Sequence, residues 1–233
     1  MTHSVVEYRV MRFGLGGRLH HWVHAAGMSL FIFTGVQIYL REEFLLERSL
    51  IRDLHIGIGV FIGIWDVVYY GGFILLYDRH IKDLIPTPRD IKDMFIVLGC
   101  ALGYCSDDEY PDYNLYDTER GVYYRKFHPG QKLLYSADIL AILFMGITGF
   151  GLLAESEVGF LGFLVVFNDF IEPFMGILGY EGTKAIRVAH FLGFVYFSAT
   201  TAIHAYMAVL PQNYNALRGM LLGTESLKEE IDR

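Results

Sequence analysis

"VAHFLGFVYFSATTAIHAYMA", residues 188–208, contains no charged side chain and two histidines, His190 and His204. An α-helix rises about 1.5 Å and turns about 100° per residue, so this fourteen-residue interval spans roughly 21 Å and returns to within about 40° of the same face. The two imidazoles therefore sit near opposite ends of a helix long enough to cross a bilayer. An imidazole in so apolar a segment needs a partner, and the rest of the chain must supply it.

The chain has 233 residues, 53% hydrophobic and 15% aromatic. Its mean hydropathy of +0.34 suits a membrane protein with one sizeable polar section. A net charge of −7 without a basic stripe excludes a nucleic-acid partner. Cys100 and Cys105 are too few for a disulfide framework or a cysteine-ligated iron–sulfur cluster, and they read as two unremarkable thiols. C-x-x-C-H, the covalent haem-attachment motif, is absent from the sequence. The N-terminus is polar through Arg18 and does not read as a cleavable signal peptide. No internal repeat of fixed period stands out.

Four segments have the length and composition of membrane spans: about 20–40, 54–76 (interrupted by Asp66), 133–153 and 186–210. The expected fold is an all-α membrane protein, a four-transmembrane-helix bundle forming a single integral-membrane domain over 1–233. Two loops remain, 77–132 and 154–185. Within the second, residues 158–180 are broken by Asn168, Asp169, Glu172 and Pro173, so short interfacial helices are expected there rather than a fifth span. Within the first, "PTPRDIKDMFIVLGCALGY" (86–104) is too short to span and is expected to lie along the surface. Arg9, Arg12 and Arg18, the bases of loop 77–132 and those after Pro211 fall on one side. Only Arg41, Arg48, Arg52, Lys184 and Arg187 fall on the other, which places both termini and loop 77–132 in the cytoplasm.

Depth then pairs the histidines. His20, His21 and His24 open the first span at its inner end, and His55 opens the second at the outer end. His55 and His190 share the outer level, and one of His20, His21 or His24 shares the inner level with His204. Each pair can clamp a planar macrocycle through Nε2 on one iron, and without covalent attachment the haems are b-type. Gly57, Gly59, Gly63 and Gly193 leave room for a porphyrin face or serve ordinary helix packing. His3 and His80 are expected to be solvated, and Asp66 to hydrogen-bond a neighbouring helix.

"RLHHW" (18–22), "LHIGIGV" (54–60), "HPGQK" (128–132), "VAHFLG" (188–193), "IHAYMA" (203–208) and "LRGMLLG" (217–223) together resemble a known family. It is the di-haem cytochrome b (γ) subunit of membrane-bound formate dehydrogenases, with the cytochrome b of nickel–iron hydrogenases as close kin. The resemblance implies two haem b, ligated by His55 and His190 on the outer side and by His21 and His204 on the inner. It also implies a quinone site (menaquinone or ubiquinone) at His128, Gly130 and Gln131, where the family has Asn in place of His128. Lys132 would balance a haem propionate or reach the headgroups. The "GQK" element points to the formate dehydrogenase branch.

On this reading electrons pass from an iron–sulfur subunit, fed by a molybdenum- or tungsten-pterin catalytic subunit, across the cytoplasmic (inner) membrane of a prokaryote to quinone. The first alternative is the cytochrome b subunit of a nickel–iron hydrogenase, with hydrogenase subunits as partners. A transmembrane ferric reductase, or a non-redox metal or proton carrier, follows. Ferric reductases place paired histidines on each of two helices, whereas only the last span has a pair here. The sections between spans are too short for a soluble catalytic domain.

Overall fold

The computed structural model describes residues 3–40, 46–74, 81–106, 109–156 and 160–232. Arg41, Arg79, His80, Arg233, the end of the second expected span (75–76) and residues 158–159 lie outside them. In chain order the elements are β1 (His3–Met11), α1 (Leu15–Leu40), α2 (Arg48–Val68), α3 (Ile81–Leu84), α4 (Pro88–Ala101), β2 (Leu115–Asp117), β3 (Val122–Arg125), α5 (Pro129–Ser156), α6 (Val166–Gly176), α7 (Gly182–Val209), α8 (Tyr214–Leu222) and β4 (Thr224–Asp232). A π-turn, Tyr69–Ile74, continues α2.

Four helices have the length and apolarity to cross a bilayer: Leu15–Leu40, Arg48–Gly72, Pro129–Glu155 and Gly182–Val209. Each begins four to six residues before the apolar run that the sequence marks. The extra turns are polar; Arg52 and Asp53 of α2, for example, are exposed. Only 6–22% of each apolar window is buried within the protein, so these helices turn most of their hydrocarbon surface outward. Val67, Leu140, Leu143 and Ile203 are each more than half exposed, a pattern that water would not tolerate and lipid requires. The chain is a mostly helical, multi-pass membrane protein.

The fold departs from the expected all-α class in the short antiparallel β2–β3 pair and at its ends. β1 and β4 form an antiparallel ribbon, with His3 opposite Asp232 and Met11 opposite Thr224. Long-range pairing of this kind leaves no local periodicity to read. At the ribbon's base Arg12 and Glu225 make an ion pair in which both side chains are at least 95% buried. Gly219 of α8 lies against the Arg12 stem, where a Cβ would come within 2.9 Å of Cδ. Gly223, in the left-handed region at φ +89°, ends α8 and accepts hydrogen bonds from the amides of Arg12 and Phe13. Arg18 and Trp22 of α1 donate to the carbonyls of Leu221 (2.9 Å) and Met220 (3.3 Å). "RLHHW" and "LRGMLLG" are thus one joint: the first supplies donors, the second the orphan carbonyls of a helix end.

The chain forms two compact units, Met1–Tyr69 with Phe191–Arg233, and Tyr70–His190. In the first, α1 and α2 approach closely at Gly27, where a Cβ would lie 2.6 Å from Ile62 Cδ1. The second is built around Ile171, Met175, Ala185, Ile186 and Ala189 of α6 and α7, with Phe144 and Ile147 of α5 packed on them. The polar residues that interrupt 158–180 lie within α6 and tie it to its neighbours. Asn168 donates to Glu155 (3.0 Å), and Glu172 accepts from the amide of Gly182 (2.7 Å).

The two cysteines are joined, correcting the expectation of separate thiols. α4 ends in a Schellman motif: Gly103 (φ +82°) donates to the Cys100 carbonyl and Tyr104 to that of Gly99. That reversal brings Cys105 back to Cys100, with a Cα–Cα distance of 4.7 Å.

Candidate functional site

The two faces of α1 separate the three histidines that open it. His20 and His24, one turn apart, face α2. His20 Nδ1 accepts from Trp65 Nε1 (3.1 Å), and its ring stacks on Tyr69 at 3.8 Å between centroids. His24 Nε2 lies 2.5 Å from Asp66 Oδ1. Asp66 therefore has the interhelical hydrogen bond expected of it, and it meets a histidine. His20, His24 and Asp66 bring ligand-type atoms within 4.8 Å of one another. His20 nevertheless presents its Nδ1 lone pair to an indole N–H, and His24 is bonded to the carboxylate, so the cluster is a hydrogen-bond network rather than a cage.

His21 faces the other way, toward α7. Its ring centroid is 6.0 Å from that of His204. A ligating imidazole nitrogen sits about 2 Å from its metal, so two nitrogens on opposite sides of one ion are about 4 Å apart. The ring separation of 6.0 Å accommodates that arrangement. Sequence depth left three choices for the inner level; of these, His21 is the one whose ring lies beside that of His204.

His55 and His190 share a different feature. Thr34, 3% exposed, donates its hydroxyl proton to the Leu30 carbonyl (2.8 Å) and contacts His55 Nδ1 at 2.8 Å. Thr148, fully buried, donates to the Phe144 carbonyl (2.9 Å) and contacts His190 Nδ1 at 2.9 Å. A hydroxyl has one proton. With it committed to the carbonyl, the threonine oxygen accepts from Nδ1–H, and Nε2 becomes the unprotonated nitrogen of the ring. That tautomer and orientation are what an iron ligand requires. Both threonines were missed in the sequence. The available signal was Thr-Gly in mid-span, at 34–35 on α1 and at 148–149 on α5.

One more observation bears on whether these residues suit a haem. Gln37, one turn beyond Thr34, is 7% exposed, and neither its amide nitrogen nor its oxygen has a hydrogen-bond partner among the described residues. Such burial costs about 1–3 kcal/mol, so a polar partner beyond the described residues is expected. Threonine-set histidines, the His21–His204 separation and this buried amide all fit a haem. Of the glycines thought to clear a porphyrin, Gly57 and Gly63 face open space, while a Cβ on Gly59 would touch Phe31 at 3.6 Å.

"HPGQK" has a local structural role. His128 Nδ1 accepts from the amide of Gly130 (3.0 Å), while Gln131 Oε1 accepts from the amide of His128 (3.1 Å). With Pro129 in the first turn, this is a capping-box arrangement that starts α5. Gly130 leaves space for the cap, because a Cβ would lie 3.1 Å from His128 Nδ1. His128 Nε2 in turn contacts the Tyr110 hydroxyl at 3.1 Å. Burial lowers the His128 pKa, favouring the neutral ring that this cap uses. Lys132 is held at 3.1 Å by Asp90, a carboxylate of α4 that the sequence reading did not pair with it.

Residues 110–223 match the prokaryotic cytochrome b561 family. The chain is also 25% identical over 208 residues to the F420 non-reducing hydrogenase II cytochrome subunit of Methanosarcina mazei, a match covering 84% of this chain and 74% of that one. The family match includes α5 to α8, and with them His128, His190 and His204. Similarity to cytochrome b561 implies haem b. The formate dehydrogenase assignment finds no support in either comparison, and the element that suggested it is a helix start.

Proposed function

We propose that the chain is the membrane cytochrome b subunit of a hydrogenase-type complex, carrying electrons between a partner subunit and an acceptor in the membrane. The similarity to cytochrome b561 and to a hydrogenase cytochrome subunit supports this reading. The observation that carries it is the twice-repeated threonine–histidine unit, which supports His55 and His190 as Nε2 ligands.

Two haem sites per chain follow from the sequence pairing: an inner one at His21 and His204, an outer one at His55 and His190. The first is supported by ring separation and the second by the two threonine contacts. A bound haem b supplies reversible one-electron transfer. The chain's part is to fix four imidazoles, hold the Nδ1 protons of two of them on buried hydroxyls, and keep the site within apolar helices. Partners are a hydrogen-oxidising catalytic subunit and an iron–sulfur subunit. The acceptor is a membrane-soluble quinone-class molecule near the start of α5, where His128, Gly130 and Gln131 shape the helix entrance.

A reduced-minus-oxidised spectrum with haem quantification on the purified protein tests the assignment. About two low-spin b haems per chain are expected, and His190→Ala or His204→Ala should each remove one. Retention of both in either variant, or a colourless protein, overturns it. Hydrogen-dependent haem reduction in native membranes, with identification of the co-purifying catalytic subunit, tests the donor.

A further inference from the structure

α4 is amphipathic in the reverse sense. Its charged side faces the protein: Asp90 is 5% exposed and bonded to Lys132, and Asp93 is 8% exposed and receives a 2.6 Å bond from Arg125. Ile91, Phe95, Leu98 and Leu102 recur at intervals of four, three and four residues, which places them within about 60° on one side. They are 48%, 70%, 48% and 72% exposed. Lys92 and Arg89, both exposed, also lie on the helix. In water such a helix would turn over or bury its stripe.

We infer that α4 lies in the membrane interface, its Ile91–Phe95–Leu98–Leu102 stripe set into the boundary between headgroups and acyl chains. Continuity with the adjoining span identifies the occupant. Lys132, bonded to Asp90, is in the first turn of α5, and Met94 Sδ would lie 3.5 Å from a Cβ on Gly130. The candidate membrane crossing of α5 begins at Pro129, so α4 is tied to the level at which α5 enters the bilayer. Lys92, an exposed base about a quarter turn from the stripe, suits an anionic lipid surface. The capping box of Thr87 and Asp90, and the Schellman end at Gly103, fix the length of helix laid there. This inference does not depend on the haem ligands.

The test uses the full chain in phosphatidylcholine–phosphatidylglycerol vesicles, with nitroxide labels at I91C, F95C, L98C or K92C. The disulfide keeps Cys100 and Cys105 unreactive, and unsubstituted protein reads the background. Elution profile and thermal unfolding in detergent certify each variant as folded, and the three stripe positions act as independent replicates. Membrane seating predicts a several-fold higher ratio of oxygen to nickel-chelate accessibility at 91, 95 and 98 than at 92. Equal nickel accessibility at all four positions overturns the inference. So does immobilisation with shielding from both reagents, which would mean that a protein covers the stripe.

Discussion

The two faces of α1 carry the same residue type to different ends. Toward α2, His20 and His24 sit in a network with Trp65, Asp66 and Tyr69, where an imidazole is both acceptor and bonded partner of a carboxylate. Toward α7, His21 meets the His204 ring, and more than three turns further along α1 Thr34 holds His55 of α2. A membrane histidine is therefore best judged by what its nitrogens are already doing. A hydroxyl that has committed its proton leaves Nε2 as a ligand atom; a carboxylate or an indole draws the ring into a structural network.

The sharpest break between the faces is haem content. His21→Ala, His55→Ala, His190→Ala and His204→Ala should each remove one of two haems, whereas His20→Ala and His24→Ala should remove none. Pyridine-haemochromogen absorbance per chain measures this directly. Equal loss in His20→Ala would erase the distinction.

A smaller effect probes the threonines. Losing the group that orients a metal-bound histidine typically weakens metal affinity about 10–100-fold. Thr34→Val and Thr148→Val should loosen haem by that order, read as the rate of transfer to apomyoglobin, and should raise the midpoint potential as imidazole donation falls. Thr34→Ser, which keeps the hydroxyl, should restore both. A valine variant with unchanged retention and potential would show that the hydroxyl does not act through the ring.

Asp66→Ala isolates the structural face. It removes the acceptor for His24, and about 1–3 kcal/mol of stability should go with it. Thermal unfolding in detergent reads that loss, while haem per chain at low temperature stays constant. Haem loss together with unchanged stability would reverse the assignment of the two faces.

The spans were legible because about twenty apolar residues suffice to mark a crossing. Depth along a helix was legible too, which is why His204 was matched to the right end of α1. Helical phase was not: depth alone left His20, His21 and His24 open, and only the resemblance named His21. Which side of α1 meets α2 is set by Gly27 against Ile62 rather than by any local pattern. Thr34 and Thr148 were passed over, despite the mid-span Thr-Gly, because threonine in a membrane helix ordinarily bonds its own backbone, as both also do here. The β1–β4 ribbon joins residues from opposite ends of the chain, and the acidic "TESLKEEID" of β4 has no apolar alternation to announce a strand. "HPGQK" was assigned to a quinone site by resemblance alone, and its role in starting α5 went unread, although Ncap-Pro-x-Gln is a way to begin a helix.

The smallest effect lies furthest from the histidines, where α4 is fastened to α5. Burial raises the Asp90 carboxyl pKa, but hydrogen bonds from Thr87 and Lys132 outweigh it and hold the group below its ordinary value. The folded state thus binds this proton less readily than the unfolded chain. The stabilisation is complete above the ordinary carboxylate pKa of about 3.9 and is lost as pH falls through the lower folded value. Asp90→Asn should cost about 1 kcal/mol at neutral pH, the usual worth of a helix-start contact. The gap between wild type and variant should close on acidification through that window. Measuring the difference cancels His128, whose lowered pKa makes it lose stability with falling pH at a higher range, equally in both proteins. A gap independent of pH would show that the Asp90–Lys132 contact contributes packing rather than charge.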